Sequence, residues 1–236
     1  MKPFAPHFFL KYLIVLLVLS GSFSKVWGQE YVAPTEIPSA NSERVQLIAE
    51  LDGNSTPQER KVAYLAQLAL LTSSSDTQVE DIEILEKKLT ELRQSLDSDP
   101  ELSAALGSAI SFRSSFYTDQ LAKLSLFSRR GNRMMDRAVK QAPFNLGARL
   151  QRGISCANMP AFLRRARYAV EDLELVQQQI GSKFGEEFQA FVEFYLAQAY
   201  SRNKQSEQAK NLWTKVTHSE TDWAQKSLQS LERLSL

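Results

Sequence analysis

From residue 56 onward the chain repeats one arrangement: apolar residues at helical spacing, a short polar break, then another such stretch. Leu65 and Leu68, with Val62 and Ala69, share one side of a segment that begins at Pro57. Ile82, Leu85, Leu89 and Leu92 recur every three or four residues in the next, the spacing that lines one face of an α-helix. The breaks carry start signals. Thr56-Pro57-Gln58-Glu59 has the capping hydroxyl, first-turn proline and returning carboxylate of a capping box. Thr77 with Glu80 repeats that pattern, and Asp97-Ser98-Asp99-Pro100 leads into a helix predicted to reach about Leu126. Asn158-Met159-Pro160 and Gly181–Gly185 bound the helices predicted over Leu146–Ala157 and around Tyr168–Val176. Two short helices follow between Phe188 and Val216, and Ser219–Leu234 reads as a last one with a polar side. A short helix over Glu43–Leu51 closes at Asp52-Gly53-Asn54. No run of alternating β-branched residues suggests a strand, so the fold class is all-α.

Small and large residues alternate across these pairs. Leu196-Ala197 is followed by Tyr200, then by Ala209 and Trp213. Leu106-Gly107 with Ile110 precedes Gly131, Met135, Ala138 and Pro143, while Gly153 and Cys156 precede Ala169 and Leu173. This spacing resembles the tetratricopeptide repeat, a helical hairpin of about 34 residues in which small residues let the two helices approach. The resemblance spans 100–217 and extends more weakly over 56–97. The family's first-helix tryptophan is absent, and Thr221 stands where the last repeat would have its proline. The resemblance implies antiparallel hairpins stacked as a short right-handed solenoid, with a concave side lined by first helices. The domain reading is a signal peptide at 1–28, a flexible lead-in at 29–42 and N-terminal helices at 43–99. Repeats at 100–217 and a capping helix at 218–236 complete it.

The leader reading rests on Lys2 and Lys11, the apolar run Tyr12–Leu19, and small residues at Val26 and Gly28 before a cut at Gln29. The uncharged stretch Tyr12–Ser24 is shorter than the ~20 residues that cross a bilayer. A periplasmic or secreted location is therefore expected. Losing residues 1–28 removes Lys2, Lys11 and Lys25 and no acid, turning the net charge from +1 to −2.

Charge is uneven along the chain. Between Arg113 and Arg167 stand twelve lysines and arginines against two acids, Asp119 and Asp136. One reading makes Arg149, Arg152, Arg164, Arg165 and Arg167 a patch for an anionic protein, peptide or lipid surface. The other pairs them with the acidic helices at 76–101 and 171–187. A slightly acidic mature chain without a known module pattern disfavours nucleic acid. Phe191, Phe194 and Gln198 are the residues expected to line the groove implied by the resemblance. The loop Met159–Leu163 reads as an irregular connection that could also fold over the groove or touch a membrane.

Candidate chemistry is sparse. Cys156 is the single cysteine, which excludes an intrachain disulfide. With His7 and His218 it is too little for a zinc cage. No catalytic motif stands out, and no catalytic residue, metal or cofactor is expected. The sequence thus points to a non-enzymatic binding or scaffold protein of the bacterial cell envelope that takes a protein or peptide partner. The alternative is a periplasmic carrier of a hydrophobic small molecule or lipid, linked to a transporter.

Overall fold

The computed structural model describes residues 30–51, 55–181 and 184–234. The signal peptide, its cut after Gly28 and the Asp52-Gly53-Asn54 stop lie outside the described residues, as do two residues of the Gly181–Gly185 break. Ten α-helices form among the described residues, with no strand. They are α1 (Asn41–Glu50), α2 (Pro57–Ser73), α3 (Val79–Ser95), α4 (Pro100–Arg113) and α5 (Leu121–Gln141). The chain continues with α6 (Leu146–Asn158), α7 (Ala166–Ile180), α8 (Glu186–Arg202), α9 (Ser206–Val216) and α10 (Asp222–Leu234).

The start signals act as the sequence suggests, with one correction. Thr56 Oγ1 accepts from the Glu59 amide, and the Glu59 carboxylate accepts from the Thr56 amide at 2.7 Å. Asp99 caps α4 by accepting from the Leu102 amide at 2.9 Å. The box at α3 sits one residue later than predicted: the Gln78 amide donates to Asp81. Thr77 is unavailable for that role because its hydroxyl donates to the Leu71 carbonyl at 2.7 Å, closing the end of α2.

The helix predicted from Pro100 to Leu126 is broken. α4 stops at Arg113, and a 3-10 turn over Ser114–Tyr117 precedes α5. The hydroxyls of Ser114 and Ser115 donate to the carbonyls of Ser111 and Phe112 at 2.6 and 2.8 Å. They thereby satisfy acceptors that a continuing helix would have bonded.

Each helix packs on the next along the chain. In addition α2 touches α4, α4 touches α6, α6 touches α8, and α8 touches α10. The even-numbered helices therefore lie side by side. The core follows the same order, as successive clusters rather than one centre. One joins α2, α3 and α4 through residues such as Leu65, Leu89 and Leu102, and the next joins α6, α7 and α8 through Leu150, Leu173 and Leu196. A third joins α8, α9 and α10 through Ala197, Ala209, Trp213 and Trp223.

Two close approaches explain the small residues of the sequence pattern. A Cβ on Gly131 would overlap the Gly107 carbonyl oxygen and stand 2.6 Å from the Ser111 amide nitrogen. A Cβ on Gly153 would stand 2.8 Å from Leu173. The first contact seats α5 on α4, and the second seats α7 on α6.

The segment read as a flexible lead-in is tied down from Tyr31 onward. The Val32 amide donates to the Phe144 carbonyl, and the Leu146 amide donates to the Val32 carbonyl, both at 2.9 Å. The Tyr31 ring meets Phe144 edge-on, with centroids 5.3 Å apart. Pro34 is buried, and the Thr35 amide and hydroxyl donate to the Glu101 carboxylate at 3.0 and 2.5 Å. Pro34 and Pro38 hold this strap extended, and it docks because a buried carboxylate waits for it.

Candidate binding groove

A cavity of about 570 Å³ opens along the even-numbered helices. Its lining includes Leu65 and Leu68 of α2, Ser108 and Ser111 of α4, and Ile154 and Ser155 of α6. Phe188, Phe191 and Tyr195 of α8 and Trp223 of α10 continue it, and residues 35–44 of the strap and α1 form one wall. Every second helix thus contributes side chains to one concavity.

Hydroxyls and aromatics occupy different stretches. Ser108 and Ser111 stand one turn apart on α4 and are largely buried, as is Ser128 of α5. Glu101 anchors this stretch. It is 3% exposed, takes the two bonds from Thr35, and pairs with the Lys61 ammonium at 2.8 Å. Gly147 leaves room for it, since a Cβ there would collide with the Glu101 carboxylate. Burial alone would lower the Lys61 pKa, but the carboxylates of Glu101 and Asp99 outweigh it and hold that pKa above the ordinary value.

At the other stretch Phe188, Phe191 and Tyr195 form a stripe at three- and four-residue spacing on α8, with Phe191 and Trp223 in edge contact at 5.2 Å. Arg44 lies against it and is only 6% exposed, donating to the Pro38 carbonyl at 2.8 Å and to Asn41 Oδ1 at 2.9 Å. Burial lowers its pKa. Lys226 stacks over the Trp223 ring at 3.9 Å, and its pKa is lowered by burial and by the Arg44 charge. Burial and the neighbouring Asp222 push the Glu187 carboxyl upward. Both signs of charge therefore stand at the aromatic stretch.

Of the residues expected to line a groove, Phe191 does so. Phe194 does not: its ring turns to Trp223 and Trp213, with centroids 5.2 and 6.5 Å away, and it packs in the α8–α10 core. Gln198 bridges α8 to the end of α6, donating to the Ala157 carbonyl and to Asn158 Oδ1 at 3.2 and 2.8 Å. The groove register on α8 is 188, 191, 195, not 191, 194, 198. The aromatic spacing was present in the sequence. Ser108, Ser111, Ser155 and Arg44 carried no such signal.

The arginines divide. Arg152 donates to both oxygens of the wholly buried Asp172, at 2.6 and 2.9 Å, and contacts Asp136 at 3.3 Å. Arg149 donates to Asp172 at 2.8 Å and to the Pro143 carbonyl at 2.7 Å. Arg165 grips Asp136 with two nitrogens, at 2.6 and 3.0 Å, and lies over the Tyr168 ring at 4.2 Å. These three arginines already act as ties within the fold: the buried Asp172 claims Arg149 and Arg152, and Asp136, whose side chain is 37% exposed, claims the fork of Arg165. Arg164 and Arg167 are exposed. Arg113 likewise turns inward, in ionic contact with Glu86 at 3.2 Å.

Cys156 is fully buried in the α6–α8 core, and burial pushes its thiol up to about 11. His218 is exposed and its Nδ1 lies 2.7 Å from the Thr214 carbonyl on α9.

No family model, curated protein or solved structure matches this chain.

Proposed function

We propose that this chain is a non-enzymatic binding protein of the bacterial cell envelope that holds a segment of a protein or peptide partner in its groove. In this reading the helices are a short right-handed solenoid of tetratricopeptide type, with α2, α4, α6, α8 and α10 as the concave layer. The observation that carries it is the groove itself, to which one helix of each successive pair contributes. The strap supports an extended polypeptide as occupant. Residues 31–35 already lie on the start of α4 and α6, held by backbone hydrogen bonds and by Glu101, much as a partner peptide would be held.

A second reading is a carrier of a hydrophobic small molecule or lipid. The stripe Phe188, Phe191, Tyr195 and Trp223 favours it, and about 570 Å³ is within the range of small-molecule sites.

Selection from a random-peptide library separates the two. Selected peptides are expected to lose at least about ten-fold in affinity, roughly 1.4 kcal/mol, on the variant Ser155→Trp, which fills the groove. Peptides that bind both forms alike would contradict the reading. A lipid that stays bound at one per chain in native mass spectrometry, and leaves in Ser155→Trp, would favour the carrier.

A further inference from the structure

The basic run has a second half that the fold does not consume. On α5, Lys123, Arg130, Arg133, Arg137 and Lys140 are exposed along one side. Among the described residues Arg130, Arg133, Arg137 and Lys140 make no ion pair. The one carboxylate of that helix, Asp136, is taken by Arg165 and Arg152. Like charges at three- and four-residue spacing repel, and the acidic side chain whose charge reaches Arg130, Glu86 of α3, is already held by Arg113.

Apolar side chains stand out of the same region. Leu126 falls between Lys123 and Arg130 on the stripe and is 57% exposed. The Arg165–Asp136 ion pair ties the turn Ala161–Leu163 to α5. On that turn Phe162 is 75% exposed, with Arg164 beside it, also exposed. We propose that the exposed side of α5 and the Phe162–Arg164 turn form a docking surface for an anionic phospholipid bilayer. The cations meet the headgroups, and Leu126 and Phe162 enter the headgroup–acyl boundary. A nucleic acid or a purely acidic chain such as polyglutamate would match the charge but offer no acyl chains to the two apolar residues. α5 contributes only Ser128 to the groove, so this surface and the groove are tested independently.

Vesicle co-sedimentation tests it, with the full chain and, in parallel, with Tyr31–Leu236, the compact unit that holds all ten helices. Vesicles of phosphatidylcholine are compared with vesicles that also contain phosphatidylglycerol. Each cation at an anionic surface is worth roughly five-fold in partition, so the triple variant R130Q/R133Q/R137Q is expected to lose on the order of a hundred-fold. Phe162→Ser is expected to weaken binding further, at high and low salt alike. Equal sedimentation with both vesicles, or equal binding by the triple variant and the wild type, would overturn the proposal. So would binding to RNA or polyglutamate at concentrations where anionic vesicles bind nothing.

Discussion

Asp172 shows how much one carboxylate holds. It is completely buried on α7 and receives hydrogen bonds from Arg152 and Arg149 of α6. Removing one partner of a buried ion pair leaves the other charged and desolvated. Asp172→Ala is therefore expected to cost about 3–5 kcal/mol, read as a lowered denaturant midpoint. Glu171, the neighbouring acid, is 62% exposed and contacts the same arginines at 3.4 and 4.0 Å. Solvent screens that contact, so Glu171→Ala is expected to stay within about 0.5 kcal/mol of wild type. Equal losses would show that the arginines are not organised by Asp172. The sequence displayed the excess of arginine here. It could not display which arginines were spent, because the acids that claim Arg152 are 16 and 20 positions away.

At the scale of the helices, the sequence was most legible where a periodic apolar face meets a neighbour. Ile82, Leu85, Leu89 and Leu92 are all at most 2% exposed on α3, as their spacing requires. The small residues of the repeat pattern were legible too, and Gly107 against Gly131 gives them a physical cause. Gly131→Ala is expected to destabilise by about 1–3 kcal/mol, because the added methyl meets helix backbone that cannot yield without shifting α5. Gly185 precedes α8 with nothing within 4 Å of an added Cβ, so Gly185→Ala is expected to cost only the difference between glycine and alanine at an N-cap, less than about 1 kcal/mol. Thermal unfolding of the two variants side by side checks this, and equal stability would remove the close contact from the account. The break after Arg113 was not legible. Ser114 and Ser115 look unremarkable in a helical run, and their effect comes from hydroxyls turning back on Ser111 and Phe112. Phe194 was misplaced for a related reason: rotation about the α8 axis is fixed by α9 and α10, which come later in the chain.

Over the whole molecule, the alternation of contacts matters most. Helices adjacent in sequence pair, and every second helix shares the layer that carries the groove. The groove's existence follows from that alternation, but its lining residues come from segments more than a hundred positions apart, from Leu65 to Trp223. No local pattern reports such a meeting. The strap was equally hidden, since Val32 and Thr35 gain their partners only at Phe144, Leu146 and Glu101. The proposed division of labour is one face for a partner segment and the α5 side for a membrane surface.

Photocrosslinking in the producing cell tests the groove reading most directly. Benzoylphenylalanine is placed at Ser155, which lines the groove, and separately at Glu91, exposed on α3. A crosslinked protein or peptide is expected from Ser155 and none from Glu91. A partner trapped equally well from Glu91, or nothing trapped from Ser155, would contradict it.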